Sequence, residues 1–218
     1  MISKYGLFTY LIIACIAILI IVLAFLFQNN FLKNLFIVIG ALIFAFTTYF
    51  FRDPERIPPK QKNCVVAPAD GKIISIKTKR ENKFLNCIAQ QVSIFMSPFD
   101  VHVNRIPING VIDYFNYVPG EYLVAFYDKA DERNERTEIG IKNNLGKVLF
   151  TQVAGTIARR IVCNLKLGDS VKIGERFGMI KFGSRSDVIV DSTWKLMVKV
   201  GDKVKAGETI LFEKIQNE

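Results

Sequence analysis

Gly168-Asp169-Ser170-Val171-Lys172-Ile173-Gly174-Glu175 returns 33 residues later as Gly201-Asp202-Lys203-Val204-Lys205-Ala206-Gly207-Glu208. The shared pattern is G-D-x-V-K-x-G-E. Glycine permits the positive φ that tight turns require, so each copy reads as a turn followed by a strand. Two copies are too few for a solenoid. They are similar to the hairpins of a lipoyl/biotinyl-type β-sandwich.

The surrounding sequence has the same character. Short β-rich runs broken by Gly, Pro, Asn and Asp cover Lys72–Lys77, Gln91–Phe95, Val111–Tyr117, Lys147–Val153, Ile157–Cys163, Val188–Val190 and Thr209–Phe212. Short strands at such spacing predict a mostly-β domain of sandwich or barrel-sandwich type with few short helices. Tyr122–Arg133 carries a weak helical signal, and Asp131–Arg136 is charged and expected to be exposed.

The N-terminus is different. Gly6 to Phe27 holds 22 residues without a charge, and Phe31 to Phe51 carries only Lys33. Roughly 20 apolar residues cross a bilayer core as a helix. The polar break Gln28-Asn29-Asn30 is too brief for a domain, so residues 1–51 are expected to form a membrane-anchoring helical hairpin. A cleaved signal peptide has a shorter apolar region and a small-residue cleavage site. A buried helix pair is the other alternative. Lys4 lies before the hairpin, and Arg52, Arg56, Lys60 and Lys62 follow it. By the positive-inside rule, the remaining domain, 52–218, is then expected on the cytoplasmic side of the cell membrane.

The chain has 218 residues and a net charge of +9. Lys4 and Lys33 are the only charges in the hairpin, leaving 27 basic and 20 acidic residues in the rest. Such a domain is drawn toward anionic headgroups. No basic run with interleaved aromatics points to nucleic acid. Four Cys are too few for a disulfide scaffold, and Cys64, Cys87 and Cys163 are expected as reduced thiols. With one His, no His-rich metal site exists, and no metal is expected.

Three stretches carry chemistry-bearing residues: Ala67-Pro68-Ala69-Asp70-Gly71-Lys72-Ile73, Met96-Ser97-Pro98-Phe99-Asp100-Val101-His102-Val103-Asn104-Arg105, and Phe182-Gly183-Ser184-Arg185-Ser186. Singly, each has a bland reading as a turn, a structural His or a loop. Together with Phe50-Phe51-Arg52-Asp53-Pro54-Glu55-Arg56, Pro107-Ile108-Asn109-Gly110 and Asn134-Glu135-Arg136, the ordered set resembles the phosphatidylserine decarboxylase family, in its short bacterial and archaeal form.

The resemblance implies a self-processing enzyme. The Ser184 hydroxyl would attack the Gly183 carbonyl. Elimination and hydrolysis would then leave an N-terminal pyruvoyl group on Ser184, the covalent cofactor. The products would be a β chain, 1–183, and an α chain, 184–218, which stay associated. A Schiff base between that pyruvoyl group and the serine amine of a phospholipid would carry the decarboxylation to phosphatidylethanolamine. His102, the only His, is the candidate proton donor or base. Asp70 is the candidate partner in self-cleavage. Larger relatives have a second His where this chain has Arg105, so the base for self-cleavage stays open between His102 and Asp70. Arg105 is a candidate contact for lipid phosphate or carboxylate.

Alternatives remain: an archaetidylserine decarboxylase, a non-enzymatic membrane-anchored β-sandwich adaptor, or a lipoyl/biotinyl carrier. For the carrier, the tip between the repeats offers Gly-Ser in place of the needed Lys. The oligomeric state, a homo-oligomer included, stays open.

Overall fold

The computed structural model describes residues 1–120, 134–155, 161–180 and 184–215. It divides into two compact units, Met1–Pro54 and Glu55–Glu218.

In the first unit, α1 (Leu7–Ala24) and α2 (Asn30–Phe50) form a hairpin. The Asn29 side chain starts α2 by accepting the N–H groups of Phe31 and Leu32 at 2.8 and 3.3 Å. Small residues face the partner helix: Ala14, Ala17 and Ala24 are buried on α1, and Gly40 on α2 lies against Ile21 and the Ala17 carbonyl. The start and the end of this unit meet, with Ser3 N–H donating to Phe51 O at 2.9 Å and Asp53 N–H to Met1 O at 2.7 Å. At 1.5 Å per residue the helices are about 27 and 31 Å long, close to a bilayer's hydrocarbon core. Both are long and apolar enough to cross a membrane.

Among the described residues of the second unit, the regular elements are all strands. In chain order these are β1 (Cys64–Val66), β2 (Gly71–Glu81), β3 (Cys87–Met96), β4 (Val103–Arg105), β5 (Gly110–Val118), β6 (Arg136–Asn143), β7 (Gly146–Ala154), β8 (Ile161–Cys163), β9 (Ser170–Val171), β10 (Arg176–Ile180), β11 (Ser184–Asp191), β12 (Trp194–Leu196), β13 (Lys203–Val204) and β14 (Ile210–Lys214). An eight-stranded sheet runs β13-β2-β3-β11-β7-β6-β5-β9, and two three-stranded sheets run β1-β14-β12 and β4-β10-β8. All the pairings are antiparallel.

The expected strands recur in β2, β3, β5, β7, β11 and β14, and β8 holds the described end of the 157–163 run. Tyr122–Arg133, with its weak helical signal, lies wholly outside the described residues, and β6, which was not among the expected strands, follows it. Asn134 and Glu135 are buried, contrary to the exposure expected from their charged neighbourhood. Their backbone joins the sheet, since Ala154 N–H donates to Glu135 O at 2.9 Å.

The repeats cap the sheet. The first copy supplies β9 at one edge, pairing β5, and the second supplies β13 at the other, pairing β2. Two-residue strands leave little free edge for foreign pairing. Both glycines of each copy have positive φ, from +75° to +99°. The core lies under one face of the sheet and includes Ile73, Val92, Ile94, Met96, Ile139, Phe150, Phe177, Val188, Trp194 and Phe212. All four cysteines are free.

Candidate active site

Strand β11 runs between β3 and β7, and Ser184 is its first residue. Alternation sends Ser184, Ser186, Val188 and Val190 to one face and Arg185, Asp187 and Ile189 to the other. Val188 and Val190 belong to the core, so Ser184 points to the core side, level with Met96 on β3 and Ala154 on β7. Ser184 is completely buried. Its hydroxyl donates to Met96 Sδ at 3.2 Å. A thioether is a weak acceptor, so the hydroxyl is lightly held and costs little to re-aim. A serine so placed fits as the precursor of a covalent group formed from its own side chain. Gly183 and Phe182 lie outside the described residues.

His102 is also completely buried, just before β4. Its Nδ1 lies 2.9 Å from the Asp100 carbonyl. A carbonyl only accepts, so Nδ1 carries the proton in that bond and the neutral ring keeps its basic lone pair on Nε2. The His102 carbonyl accepts Ile180 N–H at 3.4 Å, and Met179 is level with Val103. His102 therefore borders the end of β10, four residues before Ser184.

A second route ties the same elements together. Asn104 Nδ2 approaches Met96 Sδ at 3.9 Å, the sulfur that also meets Ser184. Asn104 Oδ1 accepts from Gln152 Nε2 at 2.9 Å, and Gln152 Oε1 accepts the Thr137 hydroxyl at 2.9 Å. Asn134 Nδ2 donates to the carbonyl of Ala154, the ladder neighbour of Ser184, at 2.7 Å. Buried polar groups are satisfied in such networks, which hold their members to one geometry. Sequence reading passed over Asn104, Met96 and Gln152. Asn104 stood inside a quoted stretch, but its neutral amide gave no signal of its own.

Asp70 sits on the turn into β2. Its Oδ1 accepts Ala206 N–H at 2.7 Å and its Oδ2 accepts Arg56 Nη2 at 2.6 Å. The same turn reaches the His102 segment, because Pro68 O accepts Arg105 N–H at 2.9 Å and Asn104 Nδ2 at 3.4 Å. Arg105 is buried, and its Nη1 donates to Gly174 O at 2.9 Å. Its side chain also lies against Gly207, so it bridges the two repeat turns.

The opposite face of the sheet carries a separate cavity of about 480 Å³ lined by polar side chains including Lys77, Gln91, Arg136, Glu138 and Asp187. No group of His, Cys, Asp and Glu suited to a metal ion occurs among the described residues.

Residues 43–212 match a family model described as phosphatidylserine decarboxylase. A phosphatidylserine decarboxylase proenzyme of Chlorobium limicola is 47% identical over 211 residues, covering 97% of this chain and 99% of that one. The protein of the same name from Chlorobium phaeobacteroides is 54% identical over 172 residues, 79% of this chain and 81% of its own. That of Salinibacter ruber is 50% identical over 170 residues, 77% of this chain and 75% of its own.

Proposed function

The chain belongs to the phosphatidylserine decarboxylase family, and from that premise we propose that it converts phosphatidylserine to phosphatidylethanolamine and CO₂ after cutting itself between Gly183 and Ser184. The observation that carries the reading is the setting of Ser184: a buried hydroxyl on a weak sulfur acceptor, at the head of the strand that follows the Gly-Ser bond. The word proenzyme in the relatives' names supports self-processing over the adaptor reading.

In self-cleavage the Ser184 hydroxyl attacks the Gly183 carbonyl, and the peptide bond gives way to an ester. Elimination releases the Gly183 carboxylate, and hydrolysis of the residue left at 184 releases ammonia. His102, with its lone pair on Nε2, takes the hydroxyl proton. Asp70, fixed through both oxygens, sets the turn that holds Asn104 and Arg105 in place. A pyruvoyl group at 184, joined to the substrate amine, would supply the sink for the electron pair left when CO₂ departs. His102 would return a proton to the substrate Cα. The helical hairpin inserts in the membrane, and the β unit works on its cytoplasmic side.

Intact mass of the wild type and of Ser184→Ala tests this. The wild type yields a 35-residue fragment, 184–218, with a blocked N-terminus. Ser184→Ala stays one chain and forms no phosphatidylethanolamine. If both proteins remain whole, the reading is wrong.

A further inference from the structure

The duplication extends beyond the octapeptide. Ala67-Pro68-Ala69-Asp70-Gly71-Lys72-Ile73 and Ile106-Pro107-Ile108-Asn109-Gly110-Val111-Ile112 share the pattern x-P-x-[D/N]-G-x-I. Each docks onto one octapeptide through the same bonds. Gly207 N–H donates to Ala67 O and Gly174 N–H to Ile106 O, both at 2.8–2.9 Å. Gly201 N–H donates to Ile73 O and Gly168 N–H to Ile112 O. Ile73 N–H donates to Asp202 O and Ile112 N–H to Asp169 O, both at 2.9 Å.

Asp70 and Asn109 are counterparts in this scheme. Asp70 Oδ1 accepts Ala206 N–H at 2.7 Å, and Asn109 Oδ1 accepts Ile173 N–H at 2.7 Å. One oxygen of Asp70 therefore does work that a neutral amide does equally well. The carboxylate's distinction is its charge and its second oxygen, which meets Arg56 Nη2 at 2.6 Å. The Arg56 side chain is 10% exposed, and its Nη1 reaches Glu208 Oε2 at 3.1 Å.

We propose that Arg56 is a positioning residue for self-processing, acting through Asp70. It fixes the plane of the carboxylate through one oxygen while the Ala206 N–H fixes the other. This rests on the reading that Asp70 serves self-cleavage. Arg56 stands just past the second apolar helix, where its charge had an ordinary explanation as a membrane flank.

The test follows conversion of the full-length chain to 1–183 and 184–218 at neutral pH. Arg56→Gln slows conversion about tenfold at neutral pH. Arg56→Lys, which keeps a cation beside Asp70, recovers most of the rate. Asn109→Asp, at an exposed position, processes like the wild type. Asp70→Asn keeps the Ala206 bond, as Asn109 keeps its own, and in that background Arg56→Gln changes the rate no further. This pair also decides the matter if Arg56→Gln alone does not fold. A wild-type rate in Arg56→Gln, no recovery in Arg56→Lys, or a further loss in the Asp70→Asn background overturns the proposal while self-cleavage stands. A wild type that stays whole overturns both.

Discussion

Glu138 illustrates how one side chain couples this protein to pH. It lies on the outer face of β6 and is buried. It accepts from Lys83, from Arg136 Nε at 2.9 Å, from Asn116 Nδ2 at 3.1 Å and from the Tyr114 hydroxyl at 3.2 Å. Burial pushes its carboxyl up, but Lys83, Arg136 and Asn116 outweigh that and bring it down to about 2. A depressed carboxylate stabilises the fold above its unfolded pKa, and the gain is lost as pH falls from about 4.5 towards 2. With Lys83 half exposed, screening reduces the effect to about 1–2 kcal/mol. Glu138→Gln should therefore lower stability at pH 7 and flatten the acid side of the stability curve, read by urea melts from pH 7 to pH 2. A curve parallel to the wild type's would contradict this. Residues of this kind were hard to find in the sequence. Ser184, His102 and Asp70 stand out as candidates because few residue types carry such chemistry. Asn104 and Arg56 bond to partners that only folding supplies.

At the scale of elements, the octapeptides were legible because positive-φ turns select glycine. Strand β6 was not. In Arg136-Thr137-Glu138-Ile139-Gly140-Ile141, the inward series is Thr137, Ile139 and Ile141, while the outward series carries the charges. The two-residue period is present, but polar neighbours hid it. The turn into β2 is legible as a turn, though its tightness is not. A Cβ on Gly71 would stand 2.1 Å from the Phe95 carbonyl oxygen, a backbone atom on the neighbouring strand. Gly71→Ala should cost about 2–4 kcal/mol. Gly201→Ala, with open space around it, pays only for its φ of +99°, roughly 1 kcal/mol. Thermal melts of the two variants should rank them in that order, and equal losses would refute the close-approach argument.

For the whole molecule, the mostly-β class and the apolar hairpin were visible in composition and spacing. The sheet order was not, because pairings between distant strands leave no local mark. The second unit carries its own core and capped sheet, so residues 55–218 should fold and process without the hairpin. That fragment should lose salt-resistant attachment to vesicles and keep only a salt-sensitive attraction to anionic ones. Sedimentation with anionic and neutral vesicles checks both points, and salt-resistant binding of the fragment would contradict them. The place of β11 has a last consequence. Residues 184–218 supply a middle strand and an edge strand of the large sheet, and two strands of a smaller one. The newborn protein is a single thread that assembles at a rate indifferent to dilution. Under the proposed cut it would become a heterodimer whose halves must find one another again after denaturation, so recovery of an aged sample would be a bimolecular event that slows as the solution is diluted.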